Sequence, residues 1–153
     1  MKATIRSVIV LLLATIFIGA CNKKEDEEEV VIPPTNTQLL TGNLWMMTDI
    51  KLDPLGISVW DSVPACEKDN LIDFMSDGSG SFDNGALKCD SAQAQVEQFS
   101  WQWLNNGSDL EVITSQDTLL FTKVQITSTT MKGKTKQEQM GGLVNVVVHF
   151  TKQ

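Results

Sequence analysis

The chain has 153 residues and a formal charge of −7, a length that argues for one domain. Residues 1–20 carry Lys2 and Arg6 and no acids, so a chain cut after them is two units more negative. So acidic a surface repels nucleic acid and anionic lipid headgroups, which excludes DNA, RNA and direct electrostatic membrane binding.

Met1 to Arg6 is a short basic segment, and Ser7 to Ala20 is an uncharged run centred on Val8-Ile9-Val10-Leu11-Leu12-Leu13. A bilayer-spanning helix needs about 20 apolar residues, and a shorter run reads as the core of a signal peptide. The run ends Ile18-Gly19-Ala20-Cys21. An aliphatic residue, two small residues and a cysteine fit the lipobox of bacterial lipoproteins. Small side chains admit the peptidase, and the Cys21 sulfur carries diacylglycerol. Residues 1–20 are therefore expected to be a lipoprotein signal peptide and Cys21 the lipidation site. Each buried acyl methylene contributes about 0.8 kcal/mol, so the two or three chains of a mature lipoprotein, palmitate among them, hold the protein on the membrane firmly.

Residues 21–37 read as a tether. Glu25-Asp26-Glu27-Glu28-Glu29 repel one another, and Pro33-Pro34 stiffen its C-terminal part. Asn22 stands where an aspartate would, in some Gram-negative systems, retain a lipoprotein at the inner membrane. The outer membrane is the expected address, at its periplasmic face or at the cell surface.

Residues 38–153 read as strands separated by turns. Gly42 to Leu52 is the first, with Trp45/Met47 and Met46/Ile50 as competing inner faces. Asn70 to Met75 and Gly80 to Asp83 flank Asp77-Gly78, a dipeptide that tolerates the positive φ of a tight hairpin. Val96 to Leu104 is the fourth, with Phe99, Trp101 and Trp103 on one face at period two. Asp109 to Thr114, Thr118 to Ile126 and about Thr129 to Lys136 come next, the last with Lys132, Lys134 and Lys136 outward. Gly141-Gly142 introduces a final strand in which Val144, Val146, Val148 and Phe150 share a face. Eight short strands joined by short turns suggest a sandwich or an up-and-down barrel, and eight strands suffice to close a barrel around side chains or one small ligand.

With Cys21 assigned to lipid, Cys66 and Cys89 remain as a pair in an oxidising compartment. Their midpoint falls in the Asp77-Gly78 turn, so an antiparallel hairpin brings them together at its open end and a disulfide is expected. Pairing Phe74 with Phe82 shifts the register by one and still leaves them near.

Taken together, Leu39-Leu40-Thr41-Gly42 with Trp45, Pro64-Ala65-Cys66-Glu67-Lys68-Asp69, Phe74 with Asp77-Gly78, Lys88-Cys89-Asp90 and Trp101 resemble the lipocalin-like lipoproteins of Gram-negative bacteria. The resemblance covers about Leu39 to Lys152. Two residues separate Gly42 from Trp45, where lipocalins proper have one. It implies an all-β, eight-stranded antiparallel barrel or half-barrel with an apolar interior, and no fixed chemistry.

Catalytic constellations are scarce. His149 is the single histidine and falls on the outward face of the last strand, so no histidine-pair zinc site and no triad can be assembled. No catalytic residue, metal or cofactor is expected. Trp45, Met47, Phe99, Trp101 and Trp103 either fill the core or line a pocket for a small hydrophobic ligand; a filled core with a protein or glycan partner is the rival reading. Asp61-Ser62-Val63, Asp90-Ser91-Ala92 and Asp117-Thr118-Leu119 match an O-glycosylation pattern of some Gram-negative secreted proteins.

Overall fold

The computed structural model describes residues 34–139 and 142–153, without the side chains of residues 138 and 139. The expected signal peptide, Cys21 and the tether up to residue 33 lie outside the described residues. All eight strands, the disulfide and the buried core fall within residues 34–153, which form one folding unit.

The strands are β1 (Leu44–Leu52), β2 (Leu71–Phe74), β3 (Ser79–Asp83), β4 (Val96–Leu104), β5 (Asp109–Ile113), β6 (Thr118–Ile126), β7 (Thr130–Gln139) and β8 (Gly142–Lys152). Each is antiparallel to the next, and β8 returns to β1. The result is a closed up-and-down barrel, so neither a sandwich nor a half-barrel.

The two competing inner faces of β1 are reconciled by a register shift between Met47 and Asp49 against β8. One extra residue at Thr48 flips the alternation, so Trp45 and Met47 before it and Ile50 and Leu52 after it all join the core cluster.

In the β2–β3 hairpin Phe74 pairs with Gly80 and Ile72 with Phe82. The Phe74–Phe82 pairing is thus excluded. The turn matches the Asp-Gly reading: Gly78 takes φ +87°, and the Asp77 carboxylate accepts the Ser79 N–H at 2.9 Å.

Two short helices depart from the strand pattern. Thr35, placed by its sequence at the end of the tether, caps α1 (Asn36–Leu40) instead. Its hydroxyl accepts the Gln38 N–H, and its own N–H donates to the Gln38 side chain at 2.8 Å, a reciprocal cap that satisfies two orphan donors. The α1 helix docks on one end of the barrel: Leu40 and Trp45 are both fully buried, and the Trp45 indole Nε1 donates to the Leu40 carbonyl at 2.8 Å. The second helix, α2 (Ala65–Lys68), lies at the opposite end. It carries Cys66, so that cysteine is helical rather than on an extended strand.

Candidate functional site

The two ends of the barrel differ because the aromatic residues are unevenly placed. Near α1, Phe74 packs edge-to-face on Phe99 and on Trp101, with ring centroids 5.4 and 5.8 Å apart. Trp101 meets Trp103 in the same manner. The Trp101 indole Nε1 donates to the carbonyls of Met75 and Ser79 beneath the hairpin turn. Such edge-to-face sets suit the ring quadrupole and leave little space. This end is plugged.

Towards α2 the interior opens into a cup of about 420 Å³. Its walls are Met47, Ile72, Phe82, Phe121, Val148 and Phe150, inward positions of β1, β2, β3, β6 and β8. Its rim is polar, with Glu67, Asn70, Asn84 and Gln137 beside the disulfide.

The rim is tied together from several directions. Cys66 of α2 is bonded to Cys89 of the β3–β4 loop, with Cα atoms 5.2 Å apart. The Asp69 carboxylate accepts the N–H groups of Ala86 and Leu87 at 2.8 and 3.1 Å. Oriented by its neighbours, the Asn70 amide donates to the Cys66 and Asn84 carbonyls at 3.1 Å each. Asn84, a buried polar residue, donates to the Ala94 carbonyl at 2.7 Å. These bonds fix a frame around the opening without occupying it.

Of the five residues singled out from sequence for a ligand, Met47 lines the cup. Trp45, Phe99 and Trp101 are buried in the plugged half, and Trp103 packs against it. The wall residues Phe82, Phe121, Val148 and Phe150 and the rim amides Asn70 and Asn84 were not assigned to the site by sequence. Alternation shows that Val148 and Phe150 face inward, but not which end of the barrel stays open.

Trp60 packs against the core with the Lys68 ammonium 5.0 Å above its ring, an arrangement of cation and π face. His149 lies between inward Val148 and Phe150 and faces outward beside Lys51 and Lys132. Burial, then the charge of these lysines, holds its imidazole below the ordinary 6.5, with Asp49 opposing. Among the described residues no group of three or more His, Cys, Asp or Glu side chains is placed to hold a metal ion. Ser62, Ser91 and Thr118 of the three acid–hydroxyl tripeptides are exposed.

No protein-family model matches this chain, and no curated protein sequence matches it.

Proposed function

We propose that this protein is a lipid-anchored lipoprotein of the cell envelope whose lipocalin-like barrel binds a small apolar or amphipathic molecule in the cup beside the disulfide. The observation that carries the reading is the cup itself: apolar walls, a polar rim and a volume of about 420 Å³, within the usual range of about 300–1,000 Å³ for ligand pockets. The acidic surface disfavours nucleic acid, and the Ile18-Gly19-Ala20-Cys21 run supports lipid attachment at Cys21.

The test of binding is displacement of a fluorescent fatty acid from the unlipidated chain beginning at Asn22. Saturable uptake that is weakened by Phe121→Arg, a charge placed in the cup wall, is the expected result. No uptake of any apolar or amphipathic probe overturns the reading. Lipidation is tested separately by palmitate labelling of the full chain, which Cys21→Ala abolishes.

A second reading is favoured by exposed apolar residues in the segments that follow β1 and β3 and open β8, at the α2 end of the barrel: Leu55, Ile57, Leu87 and Leu143. Exposed apolar side chains on one end of a barrel suit a protein partner. Cross-linking in intact membranes that recovers no stoichiometric partner counts against it.

A further inference from the structure

The barrel wall is not sealed along its whole height. The ladder between β6 and β7 consists of Thr122 with Lys134, Gln125 with Lys132 and Ile126 with Met131, and no pair joins residues 118–121 to residues 135–139. Each of these segments is fully paired on its other side. Residues 118–121 pair with β5, and β7 stays with β8 as far as Gln139 and Gly142. The facing edges therefore carry unpaired backbone groups, which a sheet ordinarily covers or satisfies.

The cause is local. Lys123 takes φ +53°, a conformation that L side chains rarely adopt. It is held there by the Asp109 carboxylate, which accepts the Lys123 N–H at 3.0 Å. The Ser108 carbonyl accepts the next N–H, of Val124, at 2.8 Å. The kink coincides with the register shift between Thr122 and Gln125, and N-terminal to Thr122 no β6–β7 pair forms, which leaves a slit in the ladder.

The unpaired edges lie between two recesses. Leu119, Thr135 and Lys136 line the inner cup and also an outer groove of about 570 Å³. Leu119 and Leu120 on its lip are 39% and 43% exposed. The outer groove has three lysines, Lys123, Lys134 and Lys136, against Asp53 and Asp117. Lys134 is paired with Asp53 at 2.8 Å, and the Asp117 carboxylate accepts the Thr118 N–H at 2.7 Å. Lys123 and Lys136 are exposed, and neither is ion-paired to Asp53 or Asp117. The groove thus sets three lysines against these two aspartates on a chain of net charge −7. The rim at the barrel end, by contrast, presents Glu67.

We propose that the slit between β6 and β7 is a lateral doorway and the second half of the binding site. It takes a single-chain amphiphile with an anionic head, whose chain lies in the cup and whose head emerges beside Lys136. The proposal rests on the cup being a ligand site and adds the head-group chemistry and the route. A carboxylate or phosphate at the outer groove gains a charge-assisted contact that the Glu67 rim would oppose.

The experiment uses the unlipidated chain from Asn22, with dodecanoate, dodecyl phosphate and the neutral dodecanol as probes. Lys136→Glu, an exposed substitution, should lower affinity for the two anions by about tenfold, near the scale of one charge-assisted contact, and leave dodecanol within about twofold. Whichever anion loses more names the head-group source. In the Leu120→Trp variant, dodecanoate brominated beside its carboxylate should quench the added indole, and dodecanoate brominated at its far end should not. Equal loss of all three ligands in Lys136→Glu, no loss of the anions, or equal quenching by both brominated acids overturns the doorway. Failure of every probe, dodecanol included, to bind the unaltered chain overturns the cup reading beneath it.

Discussion

Gly80 and Phe99 face each other across the β3–β4 ladder, and the Phe99 ring occupies the place into which a side chain at position 80 would project. The Asp73 carbonyl lies 2.7 Å from the same point, so backbone closes the space from the other side. Gly80→Ala should cost about 2 kcal/mol, the scale of overpacking a dense core. Phe99→Ala in the same chain should recover part of that loss, because neighbours in contact couple. Urea unfolding of the two single variants and the double variant measures the coupling, and strictly additive losses contradict the packing relationship.

The disulfide joins residues 23 apart in sequence. Replacing both cysteines, Cys66→Ser with Cys89→Ser, should lower stability by about 3 kcal/mol through the restored freedom of the unfolded loop. The rim frame should loosen as well, so ligand affinity should fall more than barrel content read by circular dichroism. An unchanged urea midpoint argues against the loop-closure account.

The α1 helix is latched by the buried Leu40 side chain and by two hydrogen bonds, from the Trp45 indole to the Leu40 carbonyl and from the Asn36 amide to the Gly107 carbonyl at 2.9 Å. Leu40→Ala empties a fully buried site and should cost about 3 kcal/mol. Trp45→Phe keeps most of the ring but deprives the Leu40 carbonyl of its donor, for which about 2 kcal/mol is expected. Proteolysis between residues 36 and 43 should accelerate in both variants; resistance equal to that of the unaltered chain would show that α1 is held by other contacts.

His149 makes stability depend on pH. Its folded pKa lies below 6.5, chiefly because burial penalises the charged ring. The unfolded chain therefore binds the proton first as pH falls. Stability is full above about 6.5 and declines as pH drops from there towards the lower folded value. It is the only histidine in the chain, and the carboxylates held low, Asp49, Asp77 and Asp109, start from 3.8, so their windows fall at lower pH. Urea midpoints between pH 7.5 and 5 should decline, and His149→Gln should flatten that slope. An imidazole titration by NMR with its midpoint above 6.5 would reverse the sign.

Much of the barrel could be read without coordinates. The bounds of β4 and β6 match the expected segments residue for residue, and β5 differs by one residue, because period-two alternation and turn chemistry are local properties. The Asp77-Gly78 turn comes from the same locality, and the hairpin it forms brings the segments carrying Cys66 and Cys89 to one end, where α2 rather than strand register presents Cys66 to its partner. The hairpin register was harder. Phe82 fits the inner face in either alignment, and in the observed one Phe74 and Phe99 flank Gly80 and meet edge-to-face, a contact between strands. The site was legible only in Met47. The remaining aromatic residues carry the same inward signal as the cup wall, and composition does not say which half of a barrel they fill.

Along this chain, then, the residues alone determined that alternating strands would wrap one apolar interior, where most turns would fall and which two cysteines would meet. Tertiary structure decided the bulge at Thr48, the kink at Lys123, the docking of α1, and therefore which end is plugged and where the wall parts. The reason is range. Alternation and turn preferences act over a few residues, whereas a register shift or an unpaired edge results from competition between packing partners far apart in sequence.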